Sequence, residues 1–196
     1  LTPLQRERLS QARTTPDSIL IRTADEVTDP ASRPAGGDTL TWRFTAENVR
    51  TFAWASSAAF IWDACATPRS GPGSDGDPAR GEGVLCQSFY PREAMHVWGP
   101  AARGGGSSQM LRTSIEHYGK MWFAYPYPTA SNVNGIVGGM EYPMLTLDSG
   151  RDPDYRGLFV HEIGHNWFYG MVGSNETYRA FMDEGFTQFL TSWGLE

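Results

Sequence analysis

A chain of 196 residues with 40% hydrophobic and 13% aromatic content suits one or two domains with a buried core. Its formal net charge of −6, with no basic run, argues against a general affinity for nucleic acid or anionic lipid. No apolar run approaches the length of a membrane span, and no charged, apolar and small-residue leader opens the chain at Leu1 to Arg8.

In chain order, Ser18 to Arg22 reads as a short strand, Leu40, Trp42 and Phe44 alternate with polar neighbours as a second, and Thr51 to Ala55 as a third. These pieces are expected to end a β-domain over residues 1–66. Residues 67–83, rich in Gly, Pro, Ser and Asp, read as a linker or an insertion. Cys65 and Cys86 flank that stretch. A disulfide between them would close a flexible loop and imply an oxidising, periplasmic or secreted setting; two unrelated reduced thiols are the alternative.

Residues 84–196 are expected to form a second unit, opening with a strand from Val84 to Tyr90. Leu111, Ile115, Tyr118 and Trp122 recur at helical spacing behind a Ser107 or Ser108 cap, with Gly104 to Gly106 barring an earlier start. Tyr125-Pro126-Tyr127-Pro128 cannot continue that helix. Val133 to Val137 and Met144 to Leu147 then suggest strands around a turn at Gly138-Gly139-Met140-Glu141, with Glu141 at a sheet edge. Asp152 as cap and Pro153 at the first position predict a helix from about Pro153 or Asp154 to Gly170. After a turn at Gly173 to Asn175, Phe181, Met182, Phe186, Phe189, Leu190 and Trp193 mark the apolar stripe of a further helix. The chain is therefore read as α+β.

The predicted helix before Gly170 contains His161-Glu162-Ile163-Gly164-His165, and Glu184 follows off the apolar stripe of the next. Two histidines four apart project from one helix face, so both imidazoles can reach one ion. Catalytic Zn²⁺ takes three protein ligands and leaves a fourth position to water, which makes His161, His165 and Glu184 the candidate ligand set for one Zn²⁺. Glu162 is rotated about 100° from His161, where its carboxylate can serve a proton at the metal without ligating it. Val160, Ile163, Trp167 and Phe168 already supply an apolar face, so packing does not require the histidines. His96 and His117 lack metal spacing and read as surface or packing residues. Asp183 is either an acceptor for a ligand imidazole or an exposed helix carboxylate.

With this motif, the eighteen-residue gap to Glu184 and Gly138-Gly139-Met140-Glu141-Tyr142 upstream, the chain resembles the zinc aminopeptidases of the aminopeptidase N and leukotriene hydrolase family. The family's Gly-x-Met-Glu-Asn motif is matched except at Tyr142, and Thr39 to Ala55 is similar to the closing strands of its N-terminal β-domain. The resemblance implies that residues 84–196 begin a thermolysin-like catalytic domain of mixed sheet and zinc-binding helices. It implies Glu162 as general base, and Glu141 as the anchor for the α-ammonium of peptides with a free N-terminus. Gly138, Gly139 and Met140 would bring the backbone close to that substrate. The family's oxyanion-stabilising tyrosine lies well beyond the third ligand, so Tyr169 and Tyr178 do not match it, and the chain is expected to be a fragment lacking C-terminal segments of its parent. The competing readings are a thermolysin-like endopeptidase, which needs no amine anchor, and an inactive zinc-bearing fragment.

Overall fold

The computed structural model describes residues 1–33, 39, 41–74, 83–149 and 156–195. Thr2 opens the first helix, α1 (Pro3–Ala12), through a capping box: its hydroxyl accepts from the Gln5 N–H while the Gln5 side chain accepts from the Thr2 N–H. Strand β1 (Ile19–Arg22) and the short helix α2 (Ala24–Thr28) follow. The strand expected between Thr51 and Ala55, and the alternation at Trp42 and Phe44, do not form: residues 41–60 carry no regular element, and Trp42, Phe44, Phe52 and Trp54 are exposed. Alternation supplies a strand with two faces, but a strand also needs a ladder partner, and this segment pairs with none among the described residues. Leu40 lies outside the described residues.

The sheet is built from β1, β2 (Ile61–Pro68), β3 (Gly83–Tyr90), β4 (Thr129–Asn134), β5 (Gly139–Tyr142) and β6 (Leu145–Asp148), in the order β1-β2-β3-β4-β6-β5. Strand β4 lies parallel to β3 and β6, and the other pairs are antiparallel. Strands β2 and β3, expected on opposite sides of a boundary at 67–83, pair along their whole length. Cys65 sits directly opposite Cys86 in that pairing, and both are buried free thiols. The turn expected at Gly138 to Glu141 is instead β5 itself, with Pro143 and Met144 reversing the chain into β6. Glu141 does lie on the sheet's edge strand.

After the short helix α3 (Met95–Trp98), helix α4 (Gly106–Met121) crosses from β3 to β4 and packs on β2 and β3. Gly105, at φ 83, holds the position before the helix, so Ser107 and Ser108 lie within its first turn, buried, rather than capping it. Ser108 Oγ meets Ser18 Oγ at 2.8 Å instead. The principal core lies between sheet and helices: Cys65, Val84 and Cys86 from the sheet meet Leu111, Ile115 and Tyr118 of α4. Full burial of such aliphatic side chains contributes about 1.5–3 kcal/mol each. Val160 and Ile163 of α5 (Arg156–Gly164) and Leu190 of α7 (Glu184–Gly194) close the same cluster.

Helix α5 stops at Gly164, short of the expected Gly170. The Asn166 and Trp167 N–H groups bond three residues back, to Ile163 and Gly164, and Tyr169 turns left-handed at φ 106. The expected start at Asp152-Pro153 lies outside the described residues. The stripe expected as one helix is broken into α6 (Glu176–Arg179), a 3-10 turn at Ala180–Met182, and α7. Among the described residues no helix is long and apolar enough to cross a membrane.

Candidate metal centre

Helix α5 packs against α4 on one side and α7 on another, and its face toward α7 carries His161 and His165. Although α5 ends at Gly164, the His165 N–H still bonds the His161 carbonyl at 3.3 Å, which keeps both imidazoles on one face. The break at Asp183 makes Glu184 the first residue of α7 and aims it back at the pair. The imidazole Nε2 atoms are 3.1 Å apart. Glu184 Oε2 is 3.1 Å from His161 Nε2 and 3.6 Å from His165 Nε2.

A tetrahedral ion with bonds of about 2.0–2.1 Å requires ligand atoms about 3.3–3.4 Å apart. The three edges, 3.1, 3.1 and 3.6 Å, lie to either side of that length, so the donor set could take a zinc-sized cation with side-chain shifts of about 0.3 Å or less. Two imidazoles and a carboxylate also match the donor types that zinc takes in hydrolytic sites. His165 is almost fully enclosed at 1% side-chain exposure, while Glu184 is 62% exposed, so the centre opens toward solvent on its α7 side.

The atoms behind the ligands suit the same purpose. Asp183 Oδ1 accepts from His165 Nδ1 at 2.5 Å, which places Asp183 as an imidazole acceptor rather than an exposed helix carboxylate. Thr191 Oγ1 stands 3.3 Å from His161 Nδ1. Burial and the neighbouring His165 hold His161 below the ordinary imidazole range, keeping it neutral and able to ligate.

No family model, curated protein or solved structure matches this chain.

Glu162 is buried on α5, and its Oε2 has no hydrogen-bond partner. Burial first, then the charges of Asp148, Glu141, Glu184 and Asp183, push its carboxyl up to about 8. A dication held by His161, His165 and Glu184 would act in the opposite direction, drawing the carboxyl back toward its ionised form. Asp148, which sequence reasoning missed, is fully buried at the end of β6 and is itself pushed up to about 8 by burial. Its signal was weak: alternation in Leu145-Thr146-Leu147-Asp148 points Thr146 and Asp148 the same way without saying that this way is inward.

The upstream motif divides on β5. A Cβ on Gly139 would lie 2.3 Å from Glu162 Oε1, so the glycine lets the edge strand abut the Glu162 carboxylate. Glu141, two residues on, shares that strand face. Its carboxylate oxygen lies within 4.8 Å of ligand atoms on His165 and Asp183, and burial raises it above the ordinary range. Met140 alternates to the opposite face, and Gly138 sits in open space at the exposed bend before the strand. The fold thus brings Glu141, Glu162, His161, His165 and Glu184 together, with Gly139 as their spacer, and leaves Gly138 and Met140 outside.

Proposed function

We propose that this protein is a zinc-dependent aminopeptidase, its α5–α7 pair forming the metal centre of a thermolysin-like domain. The observation that carries the reading is the triangle of His161 Nε2, His165 Nε2 and Glu184 Oε2 with the unpartnered Glu162 carboxylate beside it. Zinc bound there would supply Lewis acidity, lowering the pKa of water to about 7 and polarising a peptide carbonyl. Glu162 takes the proton from the attacking water and returns it to the departing amine as the peptide bond breaks. Asp183 holds the His165 imidazole during both transfers.

Glu141 gives the site its direction. A carboxylate that is half-buried beyond the metal can receive the α-ammonium of a peptide, and such a charge-assisted contact contributes about 1.5–3 kcal/mol. Among the described residues strand β5 pairs on one side only, with β6, so its outer edge can receive an extended peptide backbone.

The test combines zinc stoichiometry with hydrolysis of an aminoacyl-nitroanilide and of an N-acetylated peptide, each by wild type and Glu162→Gln. We expect one zinc per chain, cleavage of the free-amine substrate alone, and no turnover by the variant. Folded protein that takes up no zinc, or a turning-over Glu162→Gln, overturns the proposal; cleavage of the acetylated peptide replaces it with an endopeptidase.

A further inference from the structure

Helix α7 presents three polar residues to α5 at positions i, i+3 and i+7: Glu184, Thr187 and Thr191. Thr187 and Thr191 are both buried. The Thr191 hydroxyl donates to the Thr187 carbonyl at 2.8 Å, the back-bond that helical threonines commonly make. A hydroxyl has one proton, and here it is committed. With that proton so placed, Thr191 Oγ1 faces His161 Nδ1, 3.3 Å away, as an acceptor, the arrangement that favours hydrogen on Nδ1 once Nε2 is given to a metal. A neutral imidazole protonated at Nδ1 has its lone pair on Nε2, the atom that forms a corner of the donor triangle.

From this chain of donors we infer that Thr191 is a positioning residue for the metal centre, holding His161 in the one tautomer and ring orientation that can ligate. The inference rests on the zinc reading above. It also makes the two histidines unequal: His165 is backed by the Asp183 carboxylate, His161 by a neutral hydroxyl. Tyr118 of α4 touches both helices beside this contact. Its buried hydroxyl lies 3.2 Å from the Val160 carbonyl and 3.4 Å from the Leu190 carbonyl, the residues that immediately precede His161 and Thr191. The single proton of that hydroxyl is shared between, or alternates between, the two carbonyls, which brings the two helices to one point at the level where the threonine meets the imidazole.

Thr191→Val keeps the side chain's shape and removes the acceptor, whereas Thr191→Ser keeps the acceptor. Zinc affinity measured by chelator competition should fall about 10–100-fold in Thr191→Val and return to within about threefold of wild type in Thr191→Ser. Proton NMR of the zinc-loaded wild type should show a slowly exchanging His161 Nδ1–H. Wild-type affinity in a folded Thr191→Val overturns the inference and leaves the zinc reading standing. Should that variant fail to fold, a His161 Nδ1–H that exchanges at the solvent rate in wild type overturns it equally. A folded wild type that binds no zinc overturns the zinc reading and this inference together.

Discussion

Glu162 and Asp63 are both buried acids whose carboxyls are pushed far up by burial, to about 8 and about 7 respectively, yet only one of them stands where chemistry can occur. Asp63 lies in the middle of β2, opposite Ser88 in register, with Ser108 and Tyr90 close enough to oppose its rise. No metal-ligating group accompanies it among the described residues. Glu162 lies within the field of four carboxylates, Asp148, Glu141, Glu184 and Asp183, and one of these, the exposed Glu184, completes a possible ligand group with His161 and His165. A raised pKa therefore reports desolvation in both places, and the donor geometry distinguishes a catalytic candidate from an enclosed structural acid.

The sharpest way to break that comparison is to neutralise each acid in turn. Glu162→Gln should lower turnover by about 10²–10⁴-fold with zinc still bound, as read by single-turnover kinetics beside metal analysis. An equal loss in Asp63→Asn would abolish the distinction. Replacing His165 by alanine should remove zinc and destabilise the metal-free protein by about 1–3 kcal/mol in urea unfolding, because Asp183 is left buried without its partner. Undiminished zinc binding in that variant would count against the ligand set.

Glu141→Gln should reduce kcat/KM for free-amine substrates by about 10–150-fold, the kinetic equivalent of about 1.5–3 kcal/mol, with zinc affinity little changed. Comparable losses on free and acetylated substrates would remove its role as an amine anchor. The smallest catalytic effect belongs to Asp63→Asn, expected within about twofold of wild type; its signature is pH-dependent stability. Because the folded state raises the Asp63 pKa from 3.8 to about 7, the folded protein binds this proton more tightly than the unfolded chain. The resulting stabilisation is complete below about pH 4 and is lost as the pH rises through about 7. Thermal unfolding at pH 4 and pH 8 should show a smaller drop in Asp63→Asn, and an unchanged drop would show that Asp63 does not titrate in this window.

Much of the second half was legible because its signals are local. The strand at Val84 to Tyr90, the helix through Leu111, Ile115 and Tyr118, and the edge position of Glu141 each follow from spacing or from turn residues nearby. Residues 41–60 misled for the converse reason, since Trp42 and Phe44 alternate like a strand but meet no partner strand among the described residues. The helix ends were misplaced too. Where α5 stops depends on the i−3 hydrogen bonds of Asn166 and Trp167, and the break before Glu184 on Asp183 turning inward to His165.

By itself the sequence determined that His161 and His165 share a helix face and that Glu162 stands beside them, because the pitch of a helix is a local property. It also placed Glu184 in a second helix, off that helix's apolar stripe. Only the tertiary structure decided that this helix breaks so that Glu184 closes the triangle, that Gly139 brings the sheet edge against Glu162, and that Thr191 and Asp183 back the two imidazoles. Those outcomes depend on how α4, α5, α7 and the sheet edge pack around Tyr118 and Ile163, contacts between residues far apart in the chain that spacing cannot encode.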